Sequence, residues 1–208
     1  MSDRPEPSPR DRARRRVLGA VCGTALLGGH LPGGIGGGAA RAQERGIVGR
    51  AAPELDVPLW RDADGEPSAF SIAEARGRWV FLKCFQYWCP GCHSSGFPTL
   101  QAMQKAFGDH PKVALAAIQT VFEGFGTNVA SRLPEIRERY ALTMPIGHDA
   151  GDPDGEGLEK LPTTLWRYRT GGTPWLVLID PRGTVVFNDF HVDRERLVAW
   201  LEERLESA

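Results

Sequence analysis

Trp79-Val80-Phe81-Leu82-Lys83-Cys84-Phe85-Gln86-Tyr87-Trp88-Cys89-Pro90-Gly91-Cys92-His93 is the stretch that decides the fold. Its first seven residues form an apolar, aromatic run, the pattern of a central strand. The run leads into two cysteines separated by two residues, and a helix is expected to follow. That spacing lets both sulfurs meet across the first helical turn. The first sulfur then lies near the free N–H groups and the positive dipole end of the helix. Such a place stabilises a thiolate: a free cysteine has a pKa of about 8.5, and in CxxC motifs it falls to roughly 3.5–7.5. The pattern points to electron exchange through a reversible Cys89–Cys92 disulfide.

The N-terminus addresses the compartment. Residues 1–16 are polar and end Arg14-Arg15-Arg16, residues 17–38 are apolar but diluted with glycine, and Ala40-Arg41-Ala42 is an A-x-A-like cleavage signal. That order reads as an export signal over residues 1–42, of twin-arginine type because Arg14-Arg15-Arg16-Val17-Leu18 precedes a weakly apolar core. The glycines argue against a retained membrane anchor. Cleavage also removes Cys22, whose preceding Gly19-Ala20-Val21 makes a poor lipoprotein signal. The expected location is the periplasm or another exported compartment, with no membrane contact after cleavage.

Residues 43–208 are the size of one compact domain. The whole chain has formal charge −1; loss of seven Arg and three acidic residues with the signal leaves 18 basic against 23 acidic side chains, net −5. That balance gives no reason to expect nucleic acid or an anionic membrane as partner. Three cysteines remain: the CxxC pair and Cys84, which reads as a small buried hydrophobe on the strand. A zinc site is not expected, because a single CxxC pair has no histidines at ligand spacing.

Along the chain, Val48 to Ile72 reads as a β-hairpin region turning at Asp62-Ala63-Asp64-Gly65. The strand 79–85 and a helix bearing Leu100, Met103 and Phe107 follow, with Pro98 expected to kink that helix and Gly108 to stop it. The continuous apolar run 113–121 is a strand covered on both faces. Val129, Leu133, Ile136 and Tyr140 recur at helical spacing, with Pro134 at a bend or late start. A short strand is expected around Met144-Pro145-Ile146, then an acidic loop over 149–162. Trp175–Ile179 is another central strand, turning at Asp180-Pro181-Arg182-Gly183 into a hairpin partner at 184–187. The last helix starts near Asp193 and buries Leu197, Trp200, Leu201 and Leu205. The order β-α-β-α-β-β-α predicts an α/β domain: a central mixed sheet with helices on both faces and an N-terminal β-hairpin extension.

Trp88-Cys89-Pro90-Gly91-Cys92 after a strand, Thr173-Pro174 before the strand ending Ile179-Asp180, and the leading Ala51-Ala52-Pro53-Glu54-Leu55 together resemble the thioredoxin superfamily, in its exported, redoxin-type (TlpA-like) branch. The resemblance covers about 51–205. It implies a thioredoxin-like fold and a thiol–disulfide oxidoreductase; a monomer is expected. Cys89 is then the nucleophile and Cys92 the resolving thiol. Pro174 is the cis-proline facing them, and Thr173 offers its backbone to a substrate strand. Trp88 forms an apolar rim, and Pro90 and Gly91 tune the pair. The implied partners are protein disulfides or dithiols and an upstream redox donor. No cofactor is implied beyond the two cysteines. A reductant is slightly favoured over an oxidant.

The chain departs from this pattern. Thioredoxin has a buried acid six residues before its first cysteine, where Lys83 stands here. A charged lysine favours thiolate but cannot accept the resolving cysteine's proton. Glu123 is a candidate for the missing carboxylate, against the plainer reading of an exposed loop residue. The helix proline sits one residue later than in the family, which leaves the register of the first helix open. His93 is expected either near the disulfide, helping to hold the thiolate when protonated, or as a solvated residue of the first helical turn. Two rival functions share these residues. Cys89-Pro90-Gly91-Cys92-His93 is also the CxxCH haem-attachment motif. A peroxiredoxin-like thiol peroxidase is the other rival; it would need Thr or Ser where Gln86 stands and proline where Leu82 stands.

Overall fold

The computed structural model describes residues 45–207. The expected export signal lies outside the described residues. Five of the expected strands carry the domain, and a two-stranded hairpin extends them. They are β1 (Leu59–Arg61), β2 (Pro67–Ser68), β3 (Trp79–Phe85), β4 (Val113–Val121), β5 (Ile146–Ala150), β6 (Trp175–Ile179) and β7 (Val185–Asp189). They form one mixed sheet in the order β2-β1-β5-β4-β3-β6-β7. β3, β4 and β5 run parallel, while β6, β7 and the β1–β2 hairpin pair antiparallel. β3 and β4 lie in the middle and are buried at every position, which is why both read as continuous apolar runs rather than alternating ones.

The pleat sends alternate residues to opposite cores. Trp79, Phe81 and Phe85 of β3 face one core with α1 (Phe97–Phe107), α2 (Leu133–Tyr140) and α4 (Arg194–Glu206). Two successive right-handed crossovers in the same direction along the sheet put α1 and α2 on that same face. Val80, Leu82 and Cys84 face the other, with Ile47, Leu55, Trp60, Ile72 and Tyr168. That second face is covered by the N-terminal segment and by a short helix, α3 (Thr163–Arg167). Asp193 caps α4, its carboxylate accepting Arg196 N–H at 3.0 Å, as its position just before the periodic run predicts.

Three local expectations change. The strand expected around residues 144–146 begins at Ile146 and runs on to Ala150, inside the segment read as acidic loop. Its Asp149 is buried, not solvated: the carboxylate accepts Thr163 N–H at 3.0 Å, Thr164 N–H at 2.7 Å and the Thr164 hydroxyl at 2.6 Å. It thereby caps α3, a helix that composition alone did not suggest. The expected kink at Pro98 takes another form. The chain is helical from 90, makes a π turn over Cys92–Gly96, and enters α1 with Pro98 in its first turn. In the π turn Phe97 N–H reaches back to the Cys92 carbonyl, five residues away. A π turn holds one extra residue, and a proline next to it loses no intrahelical bond. The late proline is thus absorbed without shifting the cysteines.

Candidate active site

Pro90 is the first helical residue, so Cys89 stands at the N-cap. Its Sγ accepts the Cys92 backbone N–H at 3.2 Å. A side chain that accepts from the third helical residue is doing what a capping serine does, here with a sulfur. Cys89 is 6% exposed and Cys92 fully buried, and both are free thiols. The hydrogen bond from the Cys92 thiol, opposed by partial burial and reinforced by the Cys92 N–H, brings Cys89 down to about 5. Burial, and then the same bond to Cys89, push the Cys92 thiol far up. The pair is therefore split into a sulfur that ionises easily and a partner that holds its proton. Cys84 lies on the opposite face of β3, and burial raises it to about 11; it is the small buried hydrophobe expected on the strand.

The Cys89 shift has a measurable consequence. Reduced protein should gain thiolate ultraviolet absorbance in one step with a midpoint of about 5, and Cys89→Ser should lose that step. The folded pKa is depressed, so its contribution to the stability of the reduced protein is full above the unfolded thiol pKa and disappears as pH falls through about 5. A thiolate step above pH 8 would contradict this geometry.

Pro174 follows Thr173 through a cis peptide bond. The Thr173 carbonyl lies 3.4 Å from Cys89 Sγ. The proline ring packs on the start of the helix, where a Cβ on Gly91 would come within 3.1 Å of Pro174 Cδ and one on Gly96 within 3.0 Å of Pro174 Cβ. These glycines are there for close approach. Trp88 is 46% exposed beside Cys89, the expected apolar rim.

Lys83 is on the helix-covered face of β3, completely buried, with Nζ 4.0 Å from the centre of the Phe97 ring. Burial lowers its pKa. Burial thus works against the charged form that the sequence reading placed beside the sulfurs. Glu123 does not supply a carboxylate: it is exposed, and only its backbone carbonyl is engaged, by Asn128.

His93 is neither a solvated residue nor a partner of the thiolate. Nε2 lies 2.6 Å from the Tyr87 carbonyl and Nδ1 2.5 Å from the Tyr140 hydroxyl. A carbonyl only accepts, so Nε2 carries a proton and donates it to Tyr87, while Nδ1 pairs with the tyrosine hydroxyl. The ring ties the π turn to α2. Haem attachment at CxxCH needs this imidazole as an iron ligand, and neither nitrogen is free to serve.

Gln86, Asn128 and Tyr140 are the site residues that sequence reasoning missed. Asn128 accepts Tyr87 N–H at 2.6 Å and donates to the Gln86 side chain at 3.0 Å, fixing the loop that presents Trp88 and Cys89. Local sequence offers no sign of this pairing across 42 residues.

Fold and site together define a thioredoxin-like thiol–disulfide oxidoreductase. The AhpC/TSA family pattern matches residues 48–188, and the chain belongs to that family. Among solved structures, it is similar to the thioredoxin-like superfamily protein SPOA0173, at 31% identity and TM-score 0.62 over 74% of this chain and 94% of that one. It is also similar to a thiol-disulfide isomerase from Corynebacterium glutamicum, at 27% identity and TM-score 0.60 over 73% and 95%. A putative thiol:disulfide interchange protein DsbE from Chlorobium tepidum shares the fold at 18% identity, TM-score 0.51, over 79% and 96%. No curated protein matches the sequence.

Proposed function

We propose that this protein is an exported oxidoreductase that reduces disulfides of other proteins through a Cys89–Cys92 couple. The observation that carries the reading is the capping geometry: Cys89 Sγ held at 3.2 Å from a helix N–H and brought down to about 5. At neutral pH that sulfur is a thiolate. It attacks a substrate disulfide, forming a mixed disulfide and releasing one substrate thiolate. Cys92 then attacks Cys89 Sγ, forming the Cys89–Cys92 bond and releasing the second. The substrate gains two electrons, and an upstream dithiol restores the pair. The reaction calls for no cofactor beyond the two cysteines. A substrate strand alongside Thr173 would pair with its backbone, and exposed Trp88 would rest on the substrate. The arginine-bearing N-terminal pattern supports export.

One observation favours the opposite direction. A stabilised thiolate stabilises the reduced form and makes a stronger oxidant. Cys89, at about 5, falls between the values typical of thioredoxin, about 7, and of DsbA, about 3.5. An equilibrium titration in thiol buffers, read as alkylated mass, separates the two. A two-electron transition near or below about −230 mV is the expected result, and one near −120 mV makes the protein an oxidant. Absence of any reversible transition at Cys89 and Cys92 would overturn thiol–disulfide exchange. Reduced protein that consumes peroxide faster than disulfides would be a thiol peroxidase instead.

A further inference from the structure

Lys83 is completely buried, and its Nζ makes no hydrogen bond. None of the ion pairs among the described residues includes it. The buried acids are committed elsewhere: Asp149 to Thr163 and Thr164, Asp180 to Thr184 N–H. A buried amine with neither a hydrogen bond nor an ion pair is costly. The space around Nζ is nevertheless kept open for it. Gly96 lies directly against the amine, where a Cβ would come within 2.8 Å of Nζ. The rings of Phe97 and Phe85 lie 4.0 and 5.4 Å away.

The ionisable groups facing the amine are all connected with the sulfurs. β4 and β6, the flanking strands, carry none along their length. The helix start contributes Cys92 and Cys89, while Cys84, next in sequence, lies on the opposite face of β3. Of the cysteines, Cys92 acts on Lys83 most strongly.

We propose that Lys83 is the buried base of the exchange reaction, taking the Cys92 proton as Cys92 attacks the mixed disulfide. This rests on the exchange reading above. In the dithiol protein the amine is neutral and Cys92 holds its proton, burial pushing both groups to their uncharged forms. Transfer from Cys92 S–H to Nζ makes a thiolate–ammonium pair inside one apolar pocket, where each charge offsets the cost of the other. The thiolate bonds to Cys89 Sγ, the bond from Cys89 to the substrate sulfur breaks, and the substrate leaves as thiolate. The ammonium proton then passes to that departing thiolate or to water. On reduction of the Cys89–Cys92 disulfide the amine's proton balance runs in reverse.

The test is stopped-flow reaction with excess DTNB, which releases one TNB when Cys89 attacks and a second when Cys92 resolves the adduct. Lys83→Met is expected to leave the first phase within threefold of wild type. It should slow the second by about 10²-fold at pH 7, a typical share for general base catalysis. Raising the pH should restore the second phase, as hydroxide replaces the amine. A second phase within threefold of wild type at pH 7 would overturn the proposal, as would equal loss in both phases, which a fixed cation would give. NMR titration of the Lys83 side chain in wild type needs no substitution: a neutral amine in the dithiol protein at pH 7 is expected, and a charged one overturns the role. If wild type itself never releases the second TNB, the exchange reading fails, and the lysine's role with it.

Discussion

Cys89→Ser is expected to leave no disulfide reductase activity above the uncatalysed rate, while Cys92→Ser performs the first step and stops there. The two sulfurs differ by environment, not by residue type. Cys89 caps a helix and meets the Thr173 carbonyl, with a small part of its surface exposed. Cys92 is one turn further in and completely buried. A serine at 89 still caps the helix but is not ionised near neutral pH, so no mixed disulfide forms. A serine at 92 leaves Cys89 free to attack and removes the thiol that would release the product. Incubation with oxidised protein substrates and non-reducing mass analysis should show stable adducts for Cys92→Ser and none for Cys89→Ser. Full activity in Cys89→Ser would exclude the site.

Phe97→Ala is expected to produce the largest loss of stability of any single truncation near the site, about 3–5 kcal/mol. Phe97 is fully buried. It stacks on Tyr140 with centroids 4.1 Å apart, meets Phe85 edge-on at 5.1 Å, and lies beside His93 at 5.6 Å. It thus joins β3, the π turn and α2. Set against a total of about 5–15 kcal/mol, that loss should lower the melting temperature by roughly 6–20 °C for a domain of this size. The cavity would also open beside Lys83, whose Nζ now lies over this ring. Water there would favour the ammonium, so resolution by Cys92 should slow as well. Phe97→Leu, which keeps most of the volume, should cost less than half as much. A loss below about 1 kcal/mol on truncation to alanine would mean that this aromatic stack does not hold the site.

Much of this was legible in the sequence because it is local. The run 79–85 and the run 113–121 became strands with those bounds, since residues apolar on both faces have no alternative but the middle of the sheet. Trp175–Ile179 followed for the same reason. The periodic apolar run put the start of the last helix near Asp193, and the structure shows that residue capping it. The CxxC spacing announced two sulfurs at a helix start, and Thr173-Pro174 the loop that faces them. α3 stayed hidden because its cap, Asp149, lies 14 residues upstream of Thr163 in a stretch whose composition reads as loop.

By itself, then, the sequence determined the sheet's central strands, the position of both sulfurs at a helix start, and membership of a thioredoxin-like class. Only the tertiary structure decided what the neighbours of those sulfurs do. His93 looked like a partner of the thiolate and became a strut between Tyr87 and Tyr140. Glu123 looked like a candidate acid and points to solvent. Lys83 looked like a fixed positive charge and is a sealed, unpaired amine. The reason is physical: a strand or cap depends on residues a few positions away, whereas the charge state of a side chain depends on how much water and which partners the rest of the fold leaves it.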